Sequence, residues 1–472
     1  IASAHERTDK AIQLIEQALK LAPNNSEYLA HLAKHFAIKS DHIQAQKYAE
    51  LASKCASVSA LTLDTIGVAY SKIGLHQQAI PFFKQAVKLK PENSKFHYNL
   101  AISQTFVGDF DGARHSHKEV IKLDPDFSKS YVALSSLGGI NRENNNITRL
   151  IGLYKKVTNA EDKLNIGHAL AREYEALKEY DNAFHYLQSA KQSKLAAINY
   201  DFNDDQQMFN GLQKAFNSPN ISLKGGYKTN EALFVTGMPR SETTLVERII
   251  TQHTDVTSAG ELGYFGSLLK TMGYSNSVRL LDQETIDASV GIDFSELGKA
   301  YIEKTRCLTG DTAKFVDKMP LNVLYVGFIL QALPQAKIVC LDRNPLDTIV
   351  SNYRQLFSAN SSSYNYAYAL TTTAKFYIEF KKLTQLWSTL FPENFYLISY
   401  EKLVNAPEVE AKKLIGFCDL DWQKDCLNIH NNIAPVATAS ALQVRSPINN
   451  RSIGNWKKYD AYLDDVKEIL AA

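Results

Sequence analysis

Residues 237–244 read Gly-Met-Pro-Arg-Ser-Glu-Thr-Thr. Arg240 brings a fixed positive charge with a planar fork of donors. Ser241, Thr243 and Thr244 add hydroxyl donors. The apolar run Leu233–Val235 before them is of strand type, and Leu245, Val246, Ile249 and Ile250 after them keep helix spacing. A strand, a tight loop and a helix start aim backbone N–H groups and the positive end of a helix dipole at one point. The chemistry these residues suit is anion binding, and the plain alternative is an ordinary βα turn in a parallel sheet.

The spacing is close to a nucleotide phosphate loop, G-x-x-x-x-G-K-[ST], with two changes. Glu242 stands at the second glycine and Thr243 at the lysine. Without that lysine, which reaches the terminal phosphates, ATP and GTP fit poorly. The stretch resembles instead the 5′-phosphosulfate loop of sulfotransferases, G-x-P-R-S-G-T-T. These enzymes use 3′-phosphoadenosine 5′-phosphosulfate (PAPS).

The resemblance extends along the C-terminal half and implies a role for several residues. Glu261, in Ser258-Ala-Gly-Glu-Leu262, matches the glutamate that serves as base in protein-tyrosine sulfotransferases. Lys318, in Val316-Asp-Lys-Met-Pro-Leu-Asn322, matches the lysine that contacts the phosphosulfate. Arg343 at a strand end, with Ser351 eight residues on, matches the 3′-phosphate motif. Tyr400, ending the apolar run from Phe395, matches a tyrosine beside the adenine. Ser440-Ala-Leu-Gln-Val-Arg-Ser-Pro447 and Trp456 match a closing segment. There Ser440 is implied at the sulfonate region, Arg445 and Arg451 at phosphates, and Trp456 as an anchor. Arg240, Ser241, Thr243 and Thr244 take the phosphosulfate in this reading. The cofactors implied are PAPS as co-substrate and adenosine 3′,5′-bisphosphate as product, with no metal.

Glu242 breaks the pattern. If that position is left-handed, a side chain there costs roughly 1–2 kcal/mol. A carboxylate about 6 Å from one phosphosulfate charge, at an effective dielectric of about 20, costs on the order of 3 kcal/mol. Its side chain has two escapes, to solvent or to a nearby Arg or Lys. Otherwise the site no longer works.

The elements that hold these residues belong to two regions. At 472 residues more than one domain is expected. In the first two hundred residues small side chains recur every 34 positions: Ala11, Ala45, Ala79 and Ala113, then Ala33, Gly67 and Ala101. Pro23, Pro91 and Pro125 fall at repeat ends. The period resembles the tetratricopeptide repeat. A further unit follows at Leu170–Ala190. An imperfect one, about 128–157, carries Gly138-Gly139 and Asn144-Asn145-Asn146. The expected organisation is a tetratricopeptide-repeat helical solenoid over 1–200, a linker over 201–228, and a P-loop-type three-layer α/β sulfotransferase domain with a parallel sheet over 229–472.

The composition is that of a soluble globular chain, with 45% hydrophobic and 22% charged residues. A net charge of +2 gives no chain-wide footprint for nucleic acid. Five scattered cysteines without a C-x-x-C pair argue against a disulfide framework or zinc site and fit a reducing, cytoplasmic setting. No apolar run is long enough to span a membrane. Because the chain opens on Ile1, a trimmed segment is expected before it.

The function expected is sulfonate transfer to an acceptor hydroxyl, with a peptide or protein tyrosine first and a glycan or small phenol behind it. The repeat groove is the candidate for holding a peptide or protein, and a homodimer is compatible with it. The competing readings are a protein-binding scaffold whose sulfotransferase domain is weak or silent because of Glu242, and a phosphate-loop transferase of another kind.

Overall fold

A computed structural model describes residues 2–217, 225–358, 361–431 and 446–471. By contacts it divides between Tyr186 and Leu187 into two units.

The first unit is a run of helix pairs, among them Ser26–Ile38 with His42–Ser53, Ala60–Lys72 with His76–Leu89, and Ser94–Val107 with Phe110–Leu123. The 34-residue period extends to the caps. Asn25, Ser59 and Asn93 each accept backbone N–H groups at the start of a first helix. Each satisfies orphan donors that a helix start leaves open. Asp41 and Asp109 do the same for second helices. The small residues are where backbones meet: Ala33, Ala45, Ala79, Ala101 and Ala113 are fully buried. At Gly67 a Cβ would fall 2.6 Å from the Phe83 ring, so only glycine fits. The imperfect repeat is distorted where expected. Its first helix, Ser128–Ser136, stops at Gly138 and Gly139, both at positive φ, and the next starts at Ile147. His117 is buried against the Ser130 hydroxyl at 3.2 Å, and burial pushes its pKa down to about 4.

The second unit holds a five-stranded sheet: β1 Ala232–Gly237, β2 Val256–Gly260, β3 Lys314–Asp317, β4 Lys337–Asp342 and β5 Phe395–Ser399. The order is β2-β3-β1-β4-β5 and every neighbouring pair is parallel. Such a sheet, covered on both faces, needs continuous apolar strands. β1 meets this with all six residues buried. The helix Thr243–Thr251 seals one side with Leu245, Val246, Ile249 and Ile250 against Val235, Val339 and Leu341.

The segment expected to be a linker is partly core. Phe202–Phe216 is a helix, and its Phe209 and Phe216 rings lie 5.0 Å from Phe376 and 5.1 Å from Trp387. Burying two such rings contributes roughly 1.5–3 kcal/mol each, which a free connector forgoes. The preceding helix, Tyr180–Ala196, contains the division between the units. Past that division, Lys191 is 1% exposed. Its ammonium donates to the carbonyls of Ala367 at 2.8 Å and Gln355 at 3.3 Å, between the rings of Tyr353 and Tyr368. With no anion beside it among the described residues, burial pushes its pKa down to about 7.

Candidate functional site

The topology selects one place for a ligand. From β1 the chain moves toward β2, and from β4 it moves the other way to β5. The loops leaving the carboxyl ends of β1 and β4 therefore part, and open α/β sheets bind ligands in that crevice. Loop 238–242 leaves β1, Lys318 follows β3 and Arg343 follows β4.

The loop is wound tightly. Arg240 and Glu242 both take positive φ, 64° and 75°. Ser241 donates its hydroxyl to the Met238 carbonyl at 2.7 Å. The Asn352 amide donates to the Pro239 carbonyl at 2.6 Å and takes the Tyr366 hydroxyl at 3.1 Å. Thr243 and Thr244 open the helix and are buried. Lost solvation pushes the Arg240 guanidinium below its ordinary pKa, with Arg343 and Arg354 acting the same way and Glu242 against them.

Two clusters of side chains form around this loop. In the first, Lys318 is 1% exposed and pairs closely with Glu261, with Glu247 also 3.9 Å away. Glu247 also takes the Ser258 hydroxyl at 2.5 Å. Beneath them Asp317 is fully buried. It accepts from the Tyr301 hydroxyl at 2.7 Å, the Asn322 amide at 3.3 Å and the Leu262 N–H at 3.3 Å. These contacts explain the Asp and the Asn of the Val316–Asn322 segment: they fix the turn that delivers Lys318 and tie it to the residue after Glu261. Tyr364, stacked on Phe357 at 4.3 Å, is pushed up to about 12 by burial and then by the charge of Glu261.

In the second cluster Arg343 is buried over the face of Tyr400, 4.9 Å from the ring centre. Its Nη1 donates to the Arg240 carbonyl at 2.9 Å and faces the Glu242 carboxylate at 3.5 Å. Its Nη2 donates to the Ser452 carbonyl at 2.7 Å. Its Nε is buried and has no partner among the described residues. Glu242 has thus taken the second escape open to it: it is 8% exposed, left-handed and paired with an arginine. Ser351 lies half-buried on the helix Pro345–Tyr353. Tyr400 is core, packed with Ile398 and Leu403, and offers its face to Arg343. Asp347 accepts from the N–H groups of Gly454 at 2.7 Å and Trp456 at 3.1 Å, which anchors the C-terminal segment by its backbone. Arg451 is exposed. Ser440 and Arg445 lie outside the described residues.

Sequence reading missed Glu247, Asp317, Asp347 and Asn352 as positioning residues. Three of them sit inside the stretches it singled out, with no charge or spacing to separate them from surface polar residues.

Burial, opposed by its three hydrogen bonds and the Lys318 charge, pushes the Asp317 carboxyl up to about 7. The folded state thus holds this proton more firmly than the unfolded chain. Stability therefore falls as pH rises from about 4 to about 7, by at most about 1.4 kcal/mol per unit. Asp317→Asn is expected to flatten that slope, read from urea unfolding between about pH 4 and about pH 7. An unchanged slope would assign the titration elsewhere.

Two regions of the chain match known families. Residues 232–424 match the model of the sulfotransferase family, and residues 62–93 that of the tetratricopeptide repeat. The chain carries a sulfotransferase-family domain behind tetratricopeptide repeats. An uncharacterized Aquifex aeolicus protein is 30% identical over 397 residues, 81% of this chain and 52% of its own length. The protein-tyrosine sulfotransferase of Drosophila melanogaster is 22% identical over 241 residues, 48% of this chain and 46% of its own. The chain thus spans about half the length of these two relatives. Among solved structures, the sulfotransferase domain of the Synechococcus PCC 7002 olefin synthase is 17% identical. It covers 53% of this chain and 96% of that domain, with a TM-score of 0.39. Among the described residues no helix is long and apolar enough to cross a membrane, and none of the His, Cys, Asp and Glu side chains group as metal ligands.

Proposed function

We propose that this chain transfers the sulfonate of PAPS to an acceptor hydroxyl. The observation that carries the reading is the convergence of loop 237–244, the Lys318–Glu261 pair and Arg343 at the carboxyl ends of adjacent strands. Donors suited to a phosphosulfate and to a second phosphate thus lie on one crevice. The Nε of Arg343, buried and without a partner among the described residues, is a donor that a phosphate oxygen satisfies.

When bound, PAPS supplies an activated sulfonate. Arg240, Ser241, Thr243, Thr244 and the loop amides hold its phosphosulfate, and Arg343 with Ser351 its 3′-phosphate. Lys318 turns from Glu261 toward the oxygen that links phosphorus to sulfur. Glu261, released, takes the acceptor's proton. The acceptor oxygen–sulfur bond forms, the sulfur–oxygen bond to the phosphate breaks, and adenosine 3′,5′-bisphosphate leaves with the electron pair.

The leading acceptor is a tyrosine on a peptide or protein. This rests on the likeness to the Drosophila protein-tyrosine sulfotransferase and on the concave surface that stacked repeats form. All five cysteines are free thiols, which suits a reducing, cytoplasmic setting.

Calorimetric titration with adenosine 3′,5′-bisphosphate tests the donor half of the reading. Binding in the micromolar range, about −8 kcal/mol, is expected. No detectable heat from a folded protein would overturn it and leave the repeats as the working part.

A further inference from the structure

We infer that Glu242 is a specificity-determining residue: its carboxylate competes with the donor's 3′-phosphate for Arg343. The inference rests on the reading of Arg343 as the 3′-phosphate partner.

The backbone at Glu242, φ 75° and ψ 32°, suits glycine better than any residue with a side chain. That side chain does not lie on the surface. It is buried inside the crevice, within ion-pair reach of Arg343, whose side chain is 3% exposed. Among the described residues no other carboxylate pairs with Arg343. The guanidinium is otherwise met by neutral groups: two carbonyls and the Tyr400 ring.

The local charge balance explains why a carboxylate is accepted there. Arg343 and Arg354 both act on Arg240 as like charges, and Glu242 acts on it as a counter-charge. Without a nucleotide, Glu242 offsets part of this repulsion in a region largely closed to water. An arriving 3′-phosphate meets one of two situations. If Glu242 stays, the phosphate lies beside a buried like charge. If Glu242 withdraws, its pairing with Arg343 is lost. In both, the 3′-phosphate gains less from Arg343 than it would beside a glycine.

The consequence is measurable as a ratio. The 3′-phosphate is the sole difference between adenosine 3′,5′-bisphosphate and adenosine 5′-monophosphate. The wild-type chain is expected to prefer the bisphosphate by about tenfold or less. Glu242→Gln keeps shape and backbone while removing the charge. It is expected to widen that preference by about tenfold or more, with monophosphate affinity changed less than about threefold. Glu242→Gly removes charge and side chain together and is expected to do at least as much. Both titrations are run on the full chain with circular dichroism as the fold check. A ratio unchanged in Glu242→Gln and Glu242→Gly overturns the competition while leaving the donor reading intact. Failure of wild type and both folded variants to bind the bisphosphate overturns the donor reading and this inference with it.

Discussion

Glu261→Gln will lower the turnover of sulfonate transfer by about 10²–10⁴-fold, the usual span for loss of a positioned base. Affinity for adenosine 3′,5′-bisphosphate will stay within about threefold, since glutamine keeps the shape and the nucleotide is held by other residues. Glu261 follows the end of β2 with its side chain 40% exposed, so it reaches both solvent and Lys318. That exposure also limits structural damage: Lys318 retains Glu247 at 3.9 Å, and no buried carboxylate is orphaned. A single-turnover assay with labelled PAPS separates the chemical step from product release. Turnover unchanged under those conditions would remove Glu261 from the role of base and leave the proton to another group.

Lys318→Met should cost about 10²–10³-fold in kcat, the loss typical when one charged donor to a developing anion is removed. Methionine has nearly the length and volume of the lysine stem, so the core at this 1%-exposed site stays filled. The charge does not. Glu247 and Glu261 lose their cation, and breaking a buried ion pair costs about 3–5 kcal/mol when the remaining charge is sealed in. Here the cost is expected nearer the lower end, because Glu247 keeps the Ser258 hydroxyl and Glu261 has water. Stability and activity therefore need separate readings: denaturant melts for the first, and kcat well below the melting point for the second. A kcat within about threefold of wild type in a folded variant would place Lys318 outside the chemistry.

Much of this arrangement is legible in the sequence. Small residues at a period of 34 can mean little else than helices packed backbone to backbone. A strand, Pro-Arg-Ser and a helix start likewise specify a βα anion loop by local chemistry. The charge clusters were legible only in part. Glu261 and Lys318 are 57 residues apart, and sequence alone gives each a role without saying that they touch. Glu247 lies on the apolar helix after the loop, where a lone carboxylate looks like surface; its burial follows from β2 and β3 closing over it. Two long-range facts were invisible for the same reason. The helix Phe202–Phe216 looked like a polar connector because its aromatic face is meaningful only once Phe376 and Trp387 are opposite it. The pairing of Glu242 with Arg343 needed the sheet order, which brings β1 beside β4 across a hundred residues of sequence.

The helix Tyr180–Ala196 carries a consequence for how such a gene can be cut and rejoined. The family match begins at residue 232, yet the second unit begins at Leu187 and draws Lys191, Phe209 and Phe216 into its core. A recombination event that transplanted only the matched stretch would strip Tyr353 and Tyr368 of their cation and two aromatic pockets of their rings. The inheritable module is therefore longer than its recognisable signature, and its upstream seam lies within a helix.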